Sequence, residues 1–368
     1  MIESLSWRWF RAILPICFIC FLYISAFHLF ICATNSLIYS TLCLIHANQS
    51  FCSEIDHNKS LRALQTSIQK ESSQWSLYGT LSFGIIACFI SPIYGSLSDT
   101  KNRKLPIILT ISNAIITGVI ITIGSIFRGT KTSLLLYIIA SIINGFGGGT
   151  LILLSRSITN SSSINLWSKV KRPFLDTRDL IIDLKHNKLL TSFVILLLSL
   201  FFYEFFRMGS SSIYYLYLHR MSFNDTQYAT YFTCEQIATC LALICLALLR
   251  KRWKINDLYL CIIGLCLSLI GPILFAFASH NKAMIFGAIP SMMFGIFFPV
   301  CLRAVLAHLV PARDKGKAFS SVALIQNLDV LLGTVACIQI YRASINIFAG
   351  LVFIFGVGTR LIALILIL

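Results

Sequence analysis

Apolar segments of about twenty residues recur along the whole chain, and they constrain the fold more than any other feature. We place ten of them at about 12–33, 77–98, 105–126, 134–155, 191–216, 229–250, 258–279, 283–305, 319–341 and 346–368. Each is long enough to cross the hydrocarbon core of a bilayer as a helix. The segments are apolar on every face, which excludes the alternating strands of a membrane barrel. The sequence therefore predicts an all-α, polytopic membrane protein with ten transmembrane helices.

The distribution of charge supports this prediction and fixes an orientation. Charged residues make up 12% of the chain, and the mean hydropathy is +0.81. The net charge of +16 would suggest nucleic-acid binding in a soluble protein. With the N-terminus in the cytosol, however, nineteen Lys and Arg residues fall in cytosolic segments and eight in external ones. This is the positive-inside distribution of a membrane protein with both termini cytosolic, so we expect no nucleic-acid partner. We interpret the first segment as a retained helix rather than a removed signal.

The spans divide the chain into unequal parts. Residues 1–155 hold four spans and an external loop at 44–76, residues 156–190 form a polar and basic cytosolic loop, and residues 191–368 hold six spans. The external loop contains two glycosylation sequons, at Asn48 and Asn58. Cys52 in the same loop is a candidate for a disulfide, with no partner indicated by the sequence. The basic central loop is either an anchor on the inner leaflet or a site for a lipid or a partner.

A short cluster of turn formers and charges, "GSLSDTKNRK", joins the second and third spans on the cytosolic side. Gly95 would let two helices approach closely, and Asp99 can cap the next helix. Arg103 follows Asp99 by four residues, so the two side chains can pair on a helical turn. Together with Lys104, they predict a charged latch between bundles at the inner face.

This loop resembles the signature G-x-L-x-D-x-x-G-R-K of the major facilitator superfamily, with Asn102 in place of the internal glycine. The rear segment "FFPVCLRAVLAHLVPARDKGKAFSSVALIQNLDVLLGTVACIQIYRASINIFAGLVFIFG" is similar to the last three helices of solute carrier family 46, the group of the proton-coupled folate transporter. The resemblance implies a two-bundle facilitator fold. It also implies secondary active, proton-coupled transport of small organic anions such as folates by alternating access.

The chain departs from that family in its front half. The facilitator fold has two six-helix halves, whereas four and six spans are predicted here, and the gap corresponds to the family's helices five and six. The family also tends to carry proton-linked acids near the end of helix four, and "GGGTLILLSRS" contains none. A second hypothesis is therefore a shortened or incomplete chain that does not transport and acts at most through partner interaction.

Charged residues within spans are costly, so each is a candidate functional group. Glu204 and Arg207 lie three residues apart and can pair, with Glu204 as a proton carrier and Arg207 as an anion clamp, or as a pair that only holds helices together. Arg303 matches the family's helix-ten arginine, which the resemblance links to substrate or proton coupling; the alternative is an inner-face anchor. Glu235 and Asp329 can relay protons or make ordinary polar contacts.

Other features in the spans have simpler interpretations. Arg360 in the last span is expected to extend its side chain toward the membrane surface. Pro272, Pro290 and Pro299 are expected to kink their helices. No zinc spacing, phosphate-binding loop or nucleophile constellation is present in the sequence. The sequence therefore predicts a non-enzyme without a cofactor, with protons as coupling ions, an organic anion as solute and the lipid bilayer as environment. It predicts the plasma membrane, with the lysosomal membrane as an alternative, and leaves the oligomeric state open.

Overall fold

The computed structural model describes residues 30–47, 52, 61–100, 104–147, 189–278, 281–311 and 315–368. Within these ranges the chain is helical and contains no strand. The helices are α1 (Phe30–His46), α2 (Arg62–Thr100), α3 (Lys104–Ile126), α4 (Lys131–Phe146), α5 (Leu190–Gly209), α6 (Ser211–Arg220), α7 (Asp225–Leu248), α8 (Asp257–Ser268), α9 (Ile270–Ala276), α10 (Lys282–Gly287), α11 (Ile289–Met293), α12 (Phe297–Leu309), α13 (Lys315–Ser344) and α14 (Leu351–Ile367).

Six helical segments in the described ranges are long and apolar enough to cross a membrane. They are Ile108–Ile126, Leu190–Gly209, Asp225–Trp253, Asp257–Ala276, Lys282–Leu309 and Ser321–Ser344. Of three shorter apolar helices, α4 and α14 lie mostly within predicted spans, whereas α1 overlaps the predicted span at 12–33 only at residues 30–33. The predicted number of ten spans is thus not reached within the described residues, and most of the predicted span at 12–33 lies outside them. The chain is a multi-pass membrane protein.

The outer faces of these helices are apolar. On α3 the side chains of Ile115 and Val119 are exposed, and on α7 those of Leu241 and Ile244 are exposed. In water such a surface would cause association, whereas in a bilayer it faces lipid chains that need no hydrogen bonds. The exposed apolar surface therefore agrees with the membrane setting that the hydropathy predicts.

The predicted external loop at 44–76 is largely wrong as a loop, because α2 already begins at Arg62. The first turns of α2 contain no Pro or Gly and bury the polar side chains of Gln65, Gln69 and Ser73. Hydropathy detects only the apolar part of such a helix, so it assigns the polar extension to the loop. Cys52 forms a disulfide with Cys43, near the end of α1, and this names the partner that the sequence leaves open.

One helix, α13, joins the two sets of helices by packing against both α5 and α2. The front set is completed by α4, which lies between α2 and α3, and the rear set by α14 on α5 and α12 on α8. Glycines permit the closest approaches. A Cβ added at Gly209 of α5 would collide with the backbone of Gly333 in α13. A Cβ added at Gly84 of α2 would collide with the side chain of Leu331.

Hydrogen bonds join the front and rear sets at the external end. The Ser36 hydroxyl of α1 donates to Asp225 Oδ2 at the start of α7, 2.7 Å away. Gln69 Nε2 of α2 donates to the carbonyl of Leu216 at 3.3 Å, and the Tyr341 hydroxyl donates to Gln69 Oε1 at 3.5 Å. Because Gln69 and Tyr341 are fully buried, these contacts close the described helices against one another on that side.

Candidate functional site

The charged centre begins with an ion pair on α5. Arg207 Nε donates to Glu204 Oε2 at 2.5 Å, one helical turn away. The Glu204 side chain is fully buried, whereas 38% of the Arg207 side chain is exposed. The second oxygen of Glu204, Oε1, is buried and has no hydrogen-bond partner within the described part of the chain. The pair therefore presents a cationic group to accessible space and keeps one carboxylate oxygen available for another donor.

Two further candidates approach this pair from other helices. Asp329 on α13 and Arg303 on α12 each lie within electrostatic range of both Glu204 and Arg207. Asp329 is fully buried, and neither of its carboxylate oxygens has a hydrogen-bond partner among the described residues. An unpaired charge at such a position is costly, so the carboxylate is stabilised by taking up a proton or by receiving a cationic partner.

Glu235 completes the cluster from α7. It lies within electrostatic range of Arg207 and Arg360 and is partly accessible. The five residues singled out from the sequence, Glu204, Arg207, Glu235, Arg303 and Asp329, thus come together from four helices. The sequence alone does not show that these residues are neighbours. Residues 204 and 329 are far apart in the chain and are brought close by the packing of α5 against α13.

The expectation that Arg360 extends toward the membrane surface is wrong. Its side chain is only 3% exposed and donates to the backbone carbonyl of Ser268. The guanidinium carbon also lies 5.5 Å from the ring centroid of Tyr203 and 5.6 Å from that of Phe206. The cause is Pro272, four residues after Ser268, which has no N–H to donate to that carbonyl. Arg360 supplies the missing donor from α14.

Tyr203 has a matching role for a second proline. Its hydroxyl donates to the carbonyl of Gly295 at 2.7 Å. Gly295 lies four residues before Pro299, and its carbonyl therefore lacks the donor four residues on, although a backbone N–H at the end of the 3₁₀ segment also bonds to it. Each of the three prolines follows an interruption of its helix. Pro272 follows the break between α8 and α9, Pro290 follows the break between α10 and α11, and Pro299 follows the 3₁₀ segment Phe294–Ile296. Neighbouring side chains re-satisfy carbonyls freed in this way, as membrane helices require.

Sequence reasoning did not identify Tyr203 and did not assign Arg360 to the site. The sequence does indicate which carbonyls need a donor, because each proline within a membrane helix leaves the carbonyl four residues earlier without its helical hydrogen bond. No sequence signal identifies the donors, because they come from other helices.

The predicted cytosolic latch is only partly within the described residues. The backbone of α2 stays helical through Gly95 and Asp99 as far as Thr100. The predicted capping by the Asp99 side chain lies outside the described residues. The surroundings of Gly95, the side chains of Asp99 and Lys104, and the whole of Arg103 lie outside the described residues, as do Asn48 and Asn58. Among the described residues no group of three or more His, Cys, Asp or Glu is placed to hold a metal ion.

The architecture matches that of solved transporter structures. The human organic anion transporter MFSD10 (TETRAN) superposes with a TM-score of 0.61 at 14% sequence identity, covering 93% of this chain and 98% of that one. The nucleoside transporter NupG superposes with a TM-score of 0.57 at 12% identity, covering 92% and 98%. At such low identity the likeness shows the fold alone. The chain shares its fold with these transporter structures.

The sequence matches curated proteins over a shorter stretch, while no family model matches it. It is 31% identical over 128 residues to the proton-coupled folate transporter of Rattus norvegicus, covering 33% of this chain and 26% of that protein. It is 27% identical over 186 residues to a probable peptidoglycan muropeptide transporter of Drosophila melanogaster, covering 47% and 34%. A lysosomal proton-coupled steroid conjugate and bile acid symporter of Mus musculus is 27% identical over 104 residues, covering 28% and 22%.

These relatives are members of solute carrier family 46, and the predicted resemblance to that family is confirmed. The match spans only about a fifth to a third of the length of the relatives.

Proposed function

We propose that the chain is a secondary active transporter of small organic anions, coupled to protons and working by alternating access between a front bundle (residues 1–155) and a rear bundle (residues 191–368). The observation that carries this proposal is the convergence of three acids and three arginines from α5, α7, α12, α13 and α14 inside apolar helices. Charges in such a place are expensive to maintain, so they indicate an ion or solute pathway.

The burial of each charged side chain suggests which residues bind protons and which bind the solute. Asp329 and Glu204 are buried and have unpartnered carboxylate oxygens, which suits groups that gain and lose protons. Arg207 and Arg303 are partly accessible and can receive the carboxylate of a solute. Proton binding at Asp329 would remove a negative charge within range of Arg207 and so change the field felt by an anion there. This is the coupling that symport of an anion with a proton needs.

Folate is the first solute to test, because the rat relative is named as a proton-coupled folate transporter. Other relatives are named for muropeptides and for steroid conjugates, so these two classes complete the panel. The plasma membrane is the proposed location, and the lysosomal membrane is the alternative that the mouse relative supports.

The experiment is uptake of radiolabelled folate by cells whose surface expression of the chain has been quantified, in acidic and in neutral medium. Acid-stimulated uptake above that of cells without the chain is the expected result. Asp257→Asn is a matched control, because it removes a carboxylate that pairs with Arg250 at the cytosolic end and lies outside the cluster. Normal surface delivery with no uptake of any of the three solute classes would instead favour a chain that does not transport.

That competing function, a non-transporting membrane protein, is favoured by one specific observation. Four spans are predicted before the central loop and six after it, which leaves the front half two helices short of a facilitator bundle. Sequencing full-length transcripts across the codons for residues 149–165 separates the two cases. An insertion of about 60 codons encoding two helices in most transcripts would assign transport to the longer product.

A further inference from the structure

A cavity of about 700 Å³ opens between the external ends of the front and rear helices. Arg62 and Thr66 of α2 line it from the front set, and Tyr217 and Arg220 of α6 line it from the rear set. The turn at 345–350, between α13 and α14, closes another side. All these segments are external in the orientation that the charge distribution predicts. The cavity is therefore separate from the charged cluster inside the membrane, and its volume is in the range of small-molecule sites.

Two fixed positive charges point to the kind of molecule that would enter. Arg62 and Arg220 lie within electrostatic range of one another. Arg220 Nη1 donates to the hydroxyl of Thr66 at 3.4 Å. Within the described residues neither guanidinium forms an ion pair with a carboxylate. Burial lowers the pKa of Arg220, and the charge of Arg62 adds to that effect while Tyr341 and Tyr217 oppose it. Arg220 keeps its charge despite this shift, because a guanidinium does not lose its proton in a protein.

Much of the remaining cavity lining is apolar, and the exposed Asn346 adds a polar side chain. Phe277 and Phe348 lie side by side with ring centroids 6.0 Å apart, and Phe277 is 58% exposed. Met221 and Ile345 add further apolar surface. A cationic pair beside one exposed and one half-buried aromatic ring is complementary to an anionic group attached to an aromatic or aliphatic body.

The position of the cavity relates it to the path across the membrane. Arg62, Thr66 and Gln69 follow one another at i, i+4 and i+7, so they share one face of α2. Gln69 is the buried residue that binds the Leu216 carbonyl and receives the Tyr341 hydroxyl. The cavity thus lies immediately outside the contacts that close the external end of the described helices.

We propose that this cavity is an external docking site for a small organic anion, in which Arg62 and Arg220 bind the anionic group and Phe277 and Phe348 contact its apolar body. The solute would occupy it before Gln69 and Tyr341 separate and admit it to the central cluster. This inference rests on the proposed transport function for its role, while the binding site itself does not depend on transport.

The test uses Thr66→Cys as a reporter in the full chain, held in nanodiscs of phosphatidylcholine. The labelling rates of a negatively and a positively charged methanethiosulfonate are compared, with the unchanged chain giving the background from its native cysteines. We expect the anionic reagent to be favoured, and the ratio of the two rates to fall by about tenfold or more when Arg62→Gln and Arg220→Gln are added. Arg128→Gln is the matched control, because Arg128 is an exposed external arginine outside the cavity, and it should leave the ratio unchanged.

Binding is then measured as protection of the same cysteine by folate, with steroid sulfate and a muropeptide as the other two probes. Protection by at least one of them, lost in the double arginine variant, is the expected result. The proposal would be overturned if the ratio of labelling rates stayed the same in the double arginine variant, or if none of the three probes protected the cysteine. Loss of the ratio when phosphatidylglycerol is added, with no protection by any probe, would assign the arginines to lipid headgroups instead. Protection in a chain that shows no uptake would uphold the docking site and reject transport, so the two failures are distinguishable.

Discussion

The guanidinium of Arg360 donates a hydrogen bond to the carbonyl of Ser268, ninety-two positions earlier in the chain. That carbonyl has no helical donor because Pro272 occupies the position four residues on. Arg360 therefore compensates for a proline in a different helix. The contact fixes α14 against α8, beside the ring of Tyr203 and close to the charged cluster.

Replacing Arg360 by Met should destabilise the protein, because it leaves the Ser268 carbonyl buried and unpaired. The expected cost is about 1–3 kcal/mol in the free energy of unfolding. The measurement is the thermal unfolding midpoint of the purified protein in detergent. Arg252→Met is the control, since Arg252 is exposed at the cytosolic end of the π-helical turn Leu249–Trp253. Equal midpoints for the two variants would contradict the assigned role.

The hydrogen bond from Tyr203 to Gly295 allows a prediction about its cause, because Pro299 can be replaced independently of Tyr203. Tyr203→Phe should cost about 0.5–1.5 kcal/mol in the free energy of unfolding, since the Gly295 carbonyl loses its side-chain donor and keeps only a backbone N–H. In a Pro299→Ala background residue 299 regains an N–H, so the same change should cost less. A double-mutant cycle on unfolding midpoints measures this coupling. A coupling energy of zero would show that Pro299 is not the reason for the bond.

Close helix packing should depend on Gly333. A Cβ there would collide with the carbonyl of Phe205 in α5, so Gly333→Ala should force α5 and α13 apart. We expect loss of the monodisperse peak in size-exclusion chromatography, or a strongly lowered unfolding midpoint. Gly358→Ala in α14 is the control, since a Cβ at Gly358 meets nothing within 4 Å. That variant should fold normally, and its free energy of unfolding should rise by up to about 1 kcal/mol.

Asp329→Asn should separate proton coupling from solute binding. The amide has nearly the shape of the protonated acid but cannot release a proton. If Asp329 carries the coupled proton, uptake driven by an acidic exterior should fall at least about tenfold, while exchange of solute across the membrane at equal pH persists. Thr334→Val is a control on the same helix, because Thr334 is buried on α13 and has no charge. Unchanged acid stimulation of uptake in Asp329→Asn would indicate that Glu204 or Glu235 carries the coupled proton instead.

Glu204→Gln should have a different outcome, because Glu204 already has a partner. The change leaves Arg207 without its counter-charge next to a buried position, so we expect lower stability as well as lower uptake. The double variant Glu204→Gln, Arg207→Gln should recover much of the unfolding midpoint but not the uptake. Recovery of both would show that the pair only holds the helices together.

Much of the fold follows from the sequence, since hydropathy and the positive-inside distribution are properties of each segment taken alone. The helices α3 and α7 lie where apolar segments are predicted, to within a few residues, and α5 begins where its segment is predicted to begin but ends earlier, at Gly209. The polar start of α2 escapes prediction for the same reason: a hydropathy scan does not register a helix that buries Gln65 and Gln69.

The sequence by itself determined that the chain is helical and membrane-embedded, and it identified Glu204, Arg207, Glu235, Arg303 and Asp329, because a charge among apolar residues is conspicuous wherever it lies. Only the tertiary structure decided that these charges meet and that Arg360 is buried. It also decided that the carbonyls freed by Pro272 and Pro299 are bonded by Arg360 and Tyr203. The physical reason is that partner choice depends on how each helix is rotated and how closely it approaches its neighbours. Glycine contacts such as that between Gly209 and Gly333 set this approach, and no local pattern reports it.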